Sequence, residues 1–107
     1  MQLEEYKKIA KELLCSADKI ATAKRPAYTV GSADVLKNFK SVAGRLGLAP
    51  LQVWGVYFLK HIDAITSLAK DPNIPQAEEI IGRFADAINY LQLGYALYRE
   101  DGTILNG

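Results

Sequence analysis

A stripe of polar residues recurs at helical spacing in the last third of the chain. Glu79, Arg83, Asp86 and Tyr90 are separated by four, three and four residues, and Asn89 stands beside them. In a helix this spacing places them on one side. The stripe suits either a solvated surface of weak ion pairs or one wall of a site in which a guanidinium holds an anion and carboxylates hold a cation.

Three ionisable residues interrupt a segment that is otherwise apolar. Lys60, His61 and Asp63 lie between Leu51 and Lys70, where no clearly polar face exists. A buried charge without a partner is costly, so we expect partners for them. The polar stripe can supply acids for Lys60 and an amide or phenol for His61, from Glu79, Asp86, Asn89 and Tyr90. The result is either an internal polar network or a ligand site, and His61 has no second histidine at a metal-binding spacing.

A basic segment precedes a Gly-Ser pair. Lys24, Arg25 and Tyr28 come before Gly31-Ser32, and we expect Ser32 to cap a helix whose N-terminal N–H groups would favour an anion. Alternatively, the two cations are surface charges and the serine is only a cap. Cations, aromatic rings and amides are together the groups that hold a nucleotide. In this sequence the set adds Asn38, Trp54 and Tyr57 to the residues named above.

Hydrophobic periodicity predicts the elements that would position these residues. Apolar residues at helical spacing predict helices over about residues 2–22, 32–46, 50–70 and 76–99, with a loop over 24–32 containing Pro26 and Gly31. Gly47 is expected to end the second helix and Pro50 to begin the third. The expected architecture is all-α, a single-domain four-helix bundle spanning residues 1–107. We expect the third helix to be central, and the fourth to face the core with Ile80, Phe84, Ala87/Ile88, Leu91 and Tyr95.

Composition narrows the class of protein. The 107 residues carry a net charge of +1, so neither nucleic acid nor an anionic membrane is expected to bind through bulk charge. Cys15 is the sole cysteine, and neither a spanning segment nor a signal peptide is evident. We therefore expect a soluble, cytoplasmic protein. Because so small a bundle can cover little apolar surface, we also expect a homo-oligomer, dimer or tetramer, formed through helices three and four.

Four stretches of the chain resemble a known family. They are Arg25-Pro-x-Tyr28; Gly31-Ser32-x-Asp34-Val-Leu-x-Asn38-Phe39; Val53-Trp54-Gly-Val-Tyr57-x-x-Lys60-His61-x-Asp63; and Glu79-x-x-x-Arg83-x-x-Asp86-x-x-Asn89-Tyr90. The pattern is similar to small phage-encoded proteins related to the all-α MazG-like nucleotide pyrophosphohydrolases. The resemblance implies an oligomeric bundle that holds nucleotides between helices, with Mg²⁺ bound by acidic motifs in active members.

The sequence departs from that family where the metal would bind. The Glu-Glu-x-x-Glu and Glu-x-x-Asp motifs are missing, and Lys60-His61-x-Asp63 and Arg83-x-x-Asp86 occupy the corresponding helices. The departure favours nucleotide binding over hydrolysis. If Mg²⁺-dependent hydrolysis occurs, Asp63, Glu79 and Asp86 are the expected metal ligands.

The residues support three hypotheses of function. The first is binding of a nucleotide or a nucleotide-derived small molecule. Phosphate would be held by Lys24, Arg25, Lys60 and Arg83, with Tyr28, Trp54 or Tyr90 stacked on the base and Asn38 or Asn89 at its polar edges. The second is a non-enzymatic sponge that sequesters a cyclic-nucleotide or ADP-ribose-type immune signal in the host cytoplasm, an anti-defence role. The third is a structural or interaction module in which the polar residues form an internal network.

Overall fold

The computed structural model describes residues 1–29, 33–73 and 77–101, without the side chains of 27–29, 77, 78 and 101. Four helices make up most of this part: α1 (Leu3–Thr29), α2 (Lys37–Leu46), α3 (Pro50–Lys70) and α4 (Ala77–Asp101). No strand occurs within the described ranges. The all-α prediction is confirmed, and the arrangement is compatible with a small helical bundle.

The first helix is longer than predicted. Residues 24–29, predicted as a loop, continue α1, and Pro26 lies inside the helix. Proline removes one helical hydrogen bond, but its fixed φ is close to the helical value, and only three helical residues follow it here. Before the proline, contacts with α4 described below hold α1 in place. The loop prediction for this segment is therefore wrong.

The second helix starts at Lys37, later than predicted, and Asp34 organises its approach. The Asp34 carboxylate accepts a hydrogen bond from the Leu36 N–H at 2.9 Å and from Lys40 Nζ at 2.6 Å. Ser32, predicted as the cap, lies outside the described residues. The helix ends as predicted at Gly47, whose φ of 69° is in the left-handed region that glycine adopts without penalty.

The third helix starts at Pro50, as predicted, but it is not the most buried element. The helix α4 lies between α1 and α3 and packs against both, whereas α2 packs against α3 and more sparsely against α1. Val53 is the one fully buried residue of α3, and Val56 and Leu59 are exposed. The long apolar run of α3 therefore did not identify the central helix, which is α4.

The largest buried cluster forms where side chains of α2 meet those of α3 and α4. Phe39 of α2 is 1% exposed and makes edge-on ring contacts with Tyr57 of α3 and Tyr90 of α4, at centroid distances of 6.2 and 6.1 Å. Leu36 and Leu97 belong to the same buried cluster. Edge-on aromatic pairs add to the stabilisation that burial itself supplies. The buried cluster around Phe39 therefore lies against the half of α4 that begins at Tyr90.

A close approach of α3 to α4 is made possible by Gly94. The Trp54 indole stacks on Phe58, with centroids 4.9 Å apart, and its Nε1 donates a hydrogen bond to the Tyr90 carbonyl at 2.6 Å. An ideal Cβ built on Gly94 would lie 2.8 Å from Trp54 Nε1 and closer still to Cε2 and Cζ2. Only a residue without a Cβ leaves room for the ring in this position.

The stripe of α4 predicted to face the core is largely exposed. Phe84, Leu91 and Tyr95 expose 40%, 53% and 59% of their surfaces. Of the predicted stripe, Ala87 is buried, and the remaining buried positions of α4 include Ala85 and Leu97. The prediction is wrong for the single chain because periodicity identifies an apolar side of a helix without identifying what covers it.

Helices α1, α3 and α4 are each longer than 18 residues. Within the described residues, none of these helices is apolar enough to cross a membrane.

Candidate functional site

Polar side chains from three helices meet beside the middle of α4. We define the polar cluster as Lys24 of α1, Lys60 and His61 of α3, and Asp86 and Asn89 of α4. The Lys24 ammonium lies 3.2 Å from Asp86 Oδ1, with half of the lysine side chain exposed. We expected Asp86 or Glu79 to face Lys60, but Asp86 pairs with α1, because α1 remains helical as far as this point.

The His61 ring links α3 to α4. It lies against the Tyr90 ring, with centroids 4.2 Å apart and planes 40° to each other, which confirms the expectation that His61 can face Tyr90. Burial lowers the pKa of His61 below its usual 6.5; Asp86 acts in the opposite direction, whereas Lys24 and Lys60 lower the pKa further. The imidazole is therefore neutral at pH 7. Its pKa depends on three charged members of the polar cluster, Asp86, Lys24 and Lys60.

Asn89 is a buried polar residue with one satisfied group. It is 7% exposed, and its Nδ2 donates to the Ala17 carbonyl of α1 at 2.9 Å. Its Oδ1 is buried and has no hydrogen-bond partner among the described residues. A buried acceptor of this kind is uncommon and costs free energy unless something donates to it.

A small groove borders Asn89. Its volume is about 160 Å³, and it is lined by Ala21, Arg25, Val35, Asn89, Gln92 and Leu93. Typical ligand pockets occupy about 300–1,000 Å³, so this groove fits a ring-sized group and not a whole nucleotide. Arg25 places a cation at the groove without belonging to the polar cluster.

Arg83, predicted to contact phosphate, donates hydrogen bonds to α3. One guanidinium nitrogen donates to the Ala64 carbonyl at 2.8 Å and to Ser67 Oγ at 3.1 Å. Arg83 therefore ties α4 to the C-terminal half of α3. The hydrogen bonds of a long side chain to a neighbouring helix leave no sequence signature, so the polar stripe alone did not reveal this contact.

Trp54 is part of the packing between α3 and α4. Phe58 covers its ring, Gly94 lies against it, and its N–H is donated to the Tyr90 carbonyl. The ring that we predict to stack on a base therefore takes part in the contact between the two helices. Asn38 is half-buried on α2, next to Phe39 and the aromatic core. The Tyr28 side chain and Ser32 lie outside the described residues.

The three acids proposed for a metal do not assemble. Asp63 and Glu79 are exposed, and Asp86 pairs with Lys24. Across the described ranges, no group of three or more His, Cys, Asp or Glu side chains could hold a metal ion. The donor set that Mg²⁺ requires is therefore not formed by these residues within one chain.

Comparison of the chain with protein-family models, curated proteins and solved structures gave no match in any of the three.

Proposed function

We propose that the protein binds a nucleotide or a nucleotide-derived small molecule at the polar cluster and the adjoining groove. The observation that carries the proposal is the Lys24–Asp86 ion pair beside His61, whose pKa is influenced by Asp86, Lys24 and the neighbouring Lys60. The cluster has one more cation than anions, and Arg25 adds a second positive charge at the groove. An anionic ligand would balance these charges.

The lining of the groove suits a ligand that carries both a charge and a flat polar ring. Its wall combines apolar Ala21 and Leu93 with the amide-bearing Asn89 and Gln92. Apolar walls with a few polar groups are typical of small-molecule sites. A ring donor that reached Asn89 Oδ1 would satisfy the buried acceptor. A nucleotide carries such a ring together with phosphates for Lys24 and Lys60.

Retention of the ligand is favoured over hydrolysis. The acids Asp63, Glu79 and Asp86 do not form a metal site within the described part of one chain, which favours binding without a Mg²⁺-dependent step. A sponge that holds a cyclic-nucleotide or ADP-ribose-type signal needs only binding groups. It is the form of the proposal that these side chains support best.

The test is a thermal-shift screen with nucleoside triphosphates, cyclic dinucleotides and ADP-ribose, each with and without Mg²⁺. A ligand at a hundredfold excess over Kd raises the free energy of unfolding by about 2.7 kcal/mol. We expect at least one compound to raise the melting temperature and to be recovered intact from the denatured protein. A compound consumed in the presence of Mg²⁺ would instead show an enzyme, and silence across the panel would contradict the proposal.

Two variants locate the site. Lys60 is exposed, so Lys60→Met should leave the fold intact and weaken binding about ten- to hundredfold, the value of a hydrogen bond to a charged group. Lys70→Met is the matched control, since Lys70 is exposed on the same helix about 15 Å further along at 1.5 Å per residue. Equal affinities of the two variants would place the ligand elsewhere.

The structural-network hypothesis has one observation in its favour. Arg83 and Asn89 both donate to backbone carbonyls of neighbouring helices, those of Ala64 and Ala17. Two members of the polar stripe therefore hold α4 to α3 and α1. Under this hypothesis no nucleotide raises the melting temperature, and Lys60→Met changes nothing in the screen.

A further inference from the structure

The side of α4 that carries Phe84 is an apolar surface shared by three helices. A groove of about 440 Å³ between α1 and α4 is lined by Ile9, Glu12, Leu13, Ile80, Ile81 and Phe84. A second groove of about 440 Å³ between α3 and α4 is bordered by Ile80 and Phe84 again, and by Ile65, Leu68, Ala69 and Pro72 of α3 and the turn after it. We call the two grooves and the ridge between them the apolar face.

The apolar face continues along α4. Leu91 and Tyr95 follow Phe84 at helical spacing and are more than half exposed. On α1, the exposed Tyr6 precedes Ile9 by three residues. Monomeric proteins rarely leave a large contiguous apolar surface uncovered.

We propose that a second copy of this chain covers the apolar face, giving a two-fold symmetric dimer. The shape of the face fits this partner, because the Ile80/Phe84 ridge has a groove on each side. In a two-fold contact the ridge of each copy can enter a groove of the other, so one surface serves both partners. Among the described residues that line the two grooves, Glu12 alone is charged, so the face offers little to a strongly charged partner.

The chain exposes more surface than a compact monomer of its mass. A compact monomer of 11.8 kDa is expected to expose about 5,900 Å². The chain exposes 7727 Å², an excess of about 1,800 Å² over that expectation. A standard interface buries about 800 Å² on each partner. The radius of gyration agrees: it is 15.9 Å, against about 13 Å for a compact domain of this length.

The length of α1 contributes to this excess. Its 27 residues span about 40 Å at 1.5 Å per residue, close to the longest dimension of the chain, 45 Å. Up to residue 9 every residue of the helix is exposed. Its N-terminal half therefore needs a further surface to pack against, and the partner's apolar face supplies one. The sequence predicts self-association through helices three and four, and the proposed interface includes α1 as well.

Analytical ultracentrifugation of the full chain tests the proposal. We expect a mass of twice 11.8 kDa in the micromolar range. Phe84→Glu should give the single-chain mass while circular dichroism shows unchanged helix content. Leu46→Glu is the matched control, since Leu46 is an exposed leucine of α2 that lies outside the apolar face. We expect this control to remain dimeric.

A second substitution guards against loss of folding in the first. If Phe84→Glu reduces helix content, Leu91→Glu, at a more exposed position, should give the monomer instead. A native chain that sediments at the single-chain mass overturns the proposal and assigns the face to another partner. A dimer that survives both substitutions, or that Leu46→Glu also dissociates, overturns it as well.

Discussion

Replacement of Gly94 by alanine should destabilise the protein even though alanine is the better helix former. The new Cβ would lie within 3.0 Å of three indole atoms of Trp54. The ring would have to move, which weakens its hydrogen bond to the Tyr90 carbonyl and its stacking on Phe58. Overpacking a core costs about 1–3 kcal/mol, and a lost hydrogen bond adds about 0.5–1.5 kcal/mol.

The helix propensity of alanine offsets part of that cost. Alanine in place of glycine gains about 1 kcal/mol in a helix interior, so the net loss in the free energy of unfolding is about 0.5–3.5 kcal/mol. For a chain of this size that corresponds to a melting temperature lower by about 2–14 °C. Gly82→Ala is the control in the same helix, because an added Cβ there meets nothing within 4 Å. It should leave stability unchanged or raise it.

Tryptophan fluorescence gives a second measurement of the same change. Trp54 is the single tryptophan of the chain, so a shift in emission reports this ring alone. We expect Gly94→Ala to shift the emission and Gly82→Ala to leave it as it is. If Gly94→Ala unfolds at the same temperature as Gly82→Ala, with the same emission, the close approach of α3 to α4 at this position is refuted.

Three further predictions concern other contacts. His61 is the only histidine, and burial lowers its pKa below 6.5. Just below that pH the folded chain therefore binds fewer protons than the unfolded chain, so stability should fall as the pH drops through 6.5. Lys24→Met should raise the pKa of His61 in an NMR titration. A pKa at or above 6.5 in the native chain would contradict this. Phe39→Ala, at a fully buried position, should cost about 3–5 kcal/mol in urea unfolding, and a loss below 1 kcal/mol would be inconsistent with the core described here. Arg83→Ala should lower the melting temperature more than Arg45→Ala, because Arg83 donates to Ala64 and Ser67.

Periodicity predicted the number and type of the helices because each has an apolar side that repeats every three to four residues. It failed over residues 24–29, where Pro26 suggested a break. The helix continues there because α1 rests on α4 through Ala17 and Lys24. These contacts join residues 62 and 72 positions apart in the chain, so local sequence could not reveal them.

The candidate site was predictable in part. That the polar stripe of α4 would meet His61 followed from the short turn between α3 and α4, and the His61–Tyr90 contact confirms it. The participation of Lys24 depended on the true end of α1. The groove beside Asn89 was not predictable, because its walls come from residues of ordinary type in three separate parts of the chain.

Small residues in α4 explain how one helix carries both a polar cluster and an apolar face. Ala85 and Ala87 are buried, and their short side chains let α1 and α3 approach α4 closely from either flank. The polar cluster and the apolar face then occupy the two remaining sides of α4. Phe84 and Asp86 are two residues apart, which separates them by about 200° around a helix. Substitutions on the apolar face therefore leave the polar cluster untouched, so ligand binding and self-association can be tested independently.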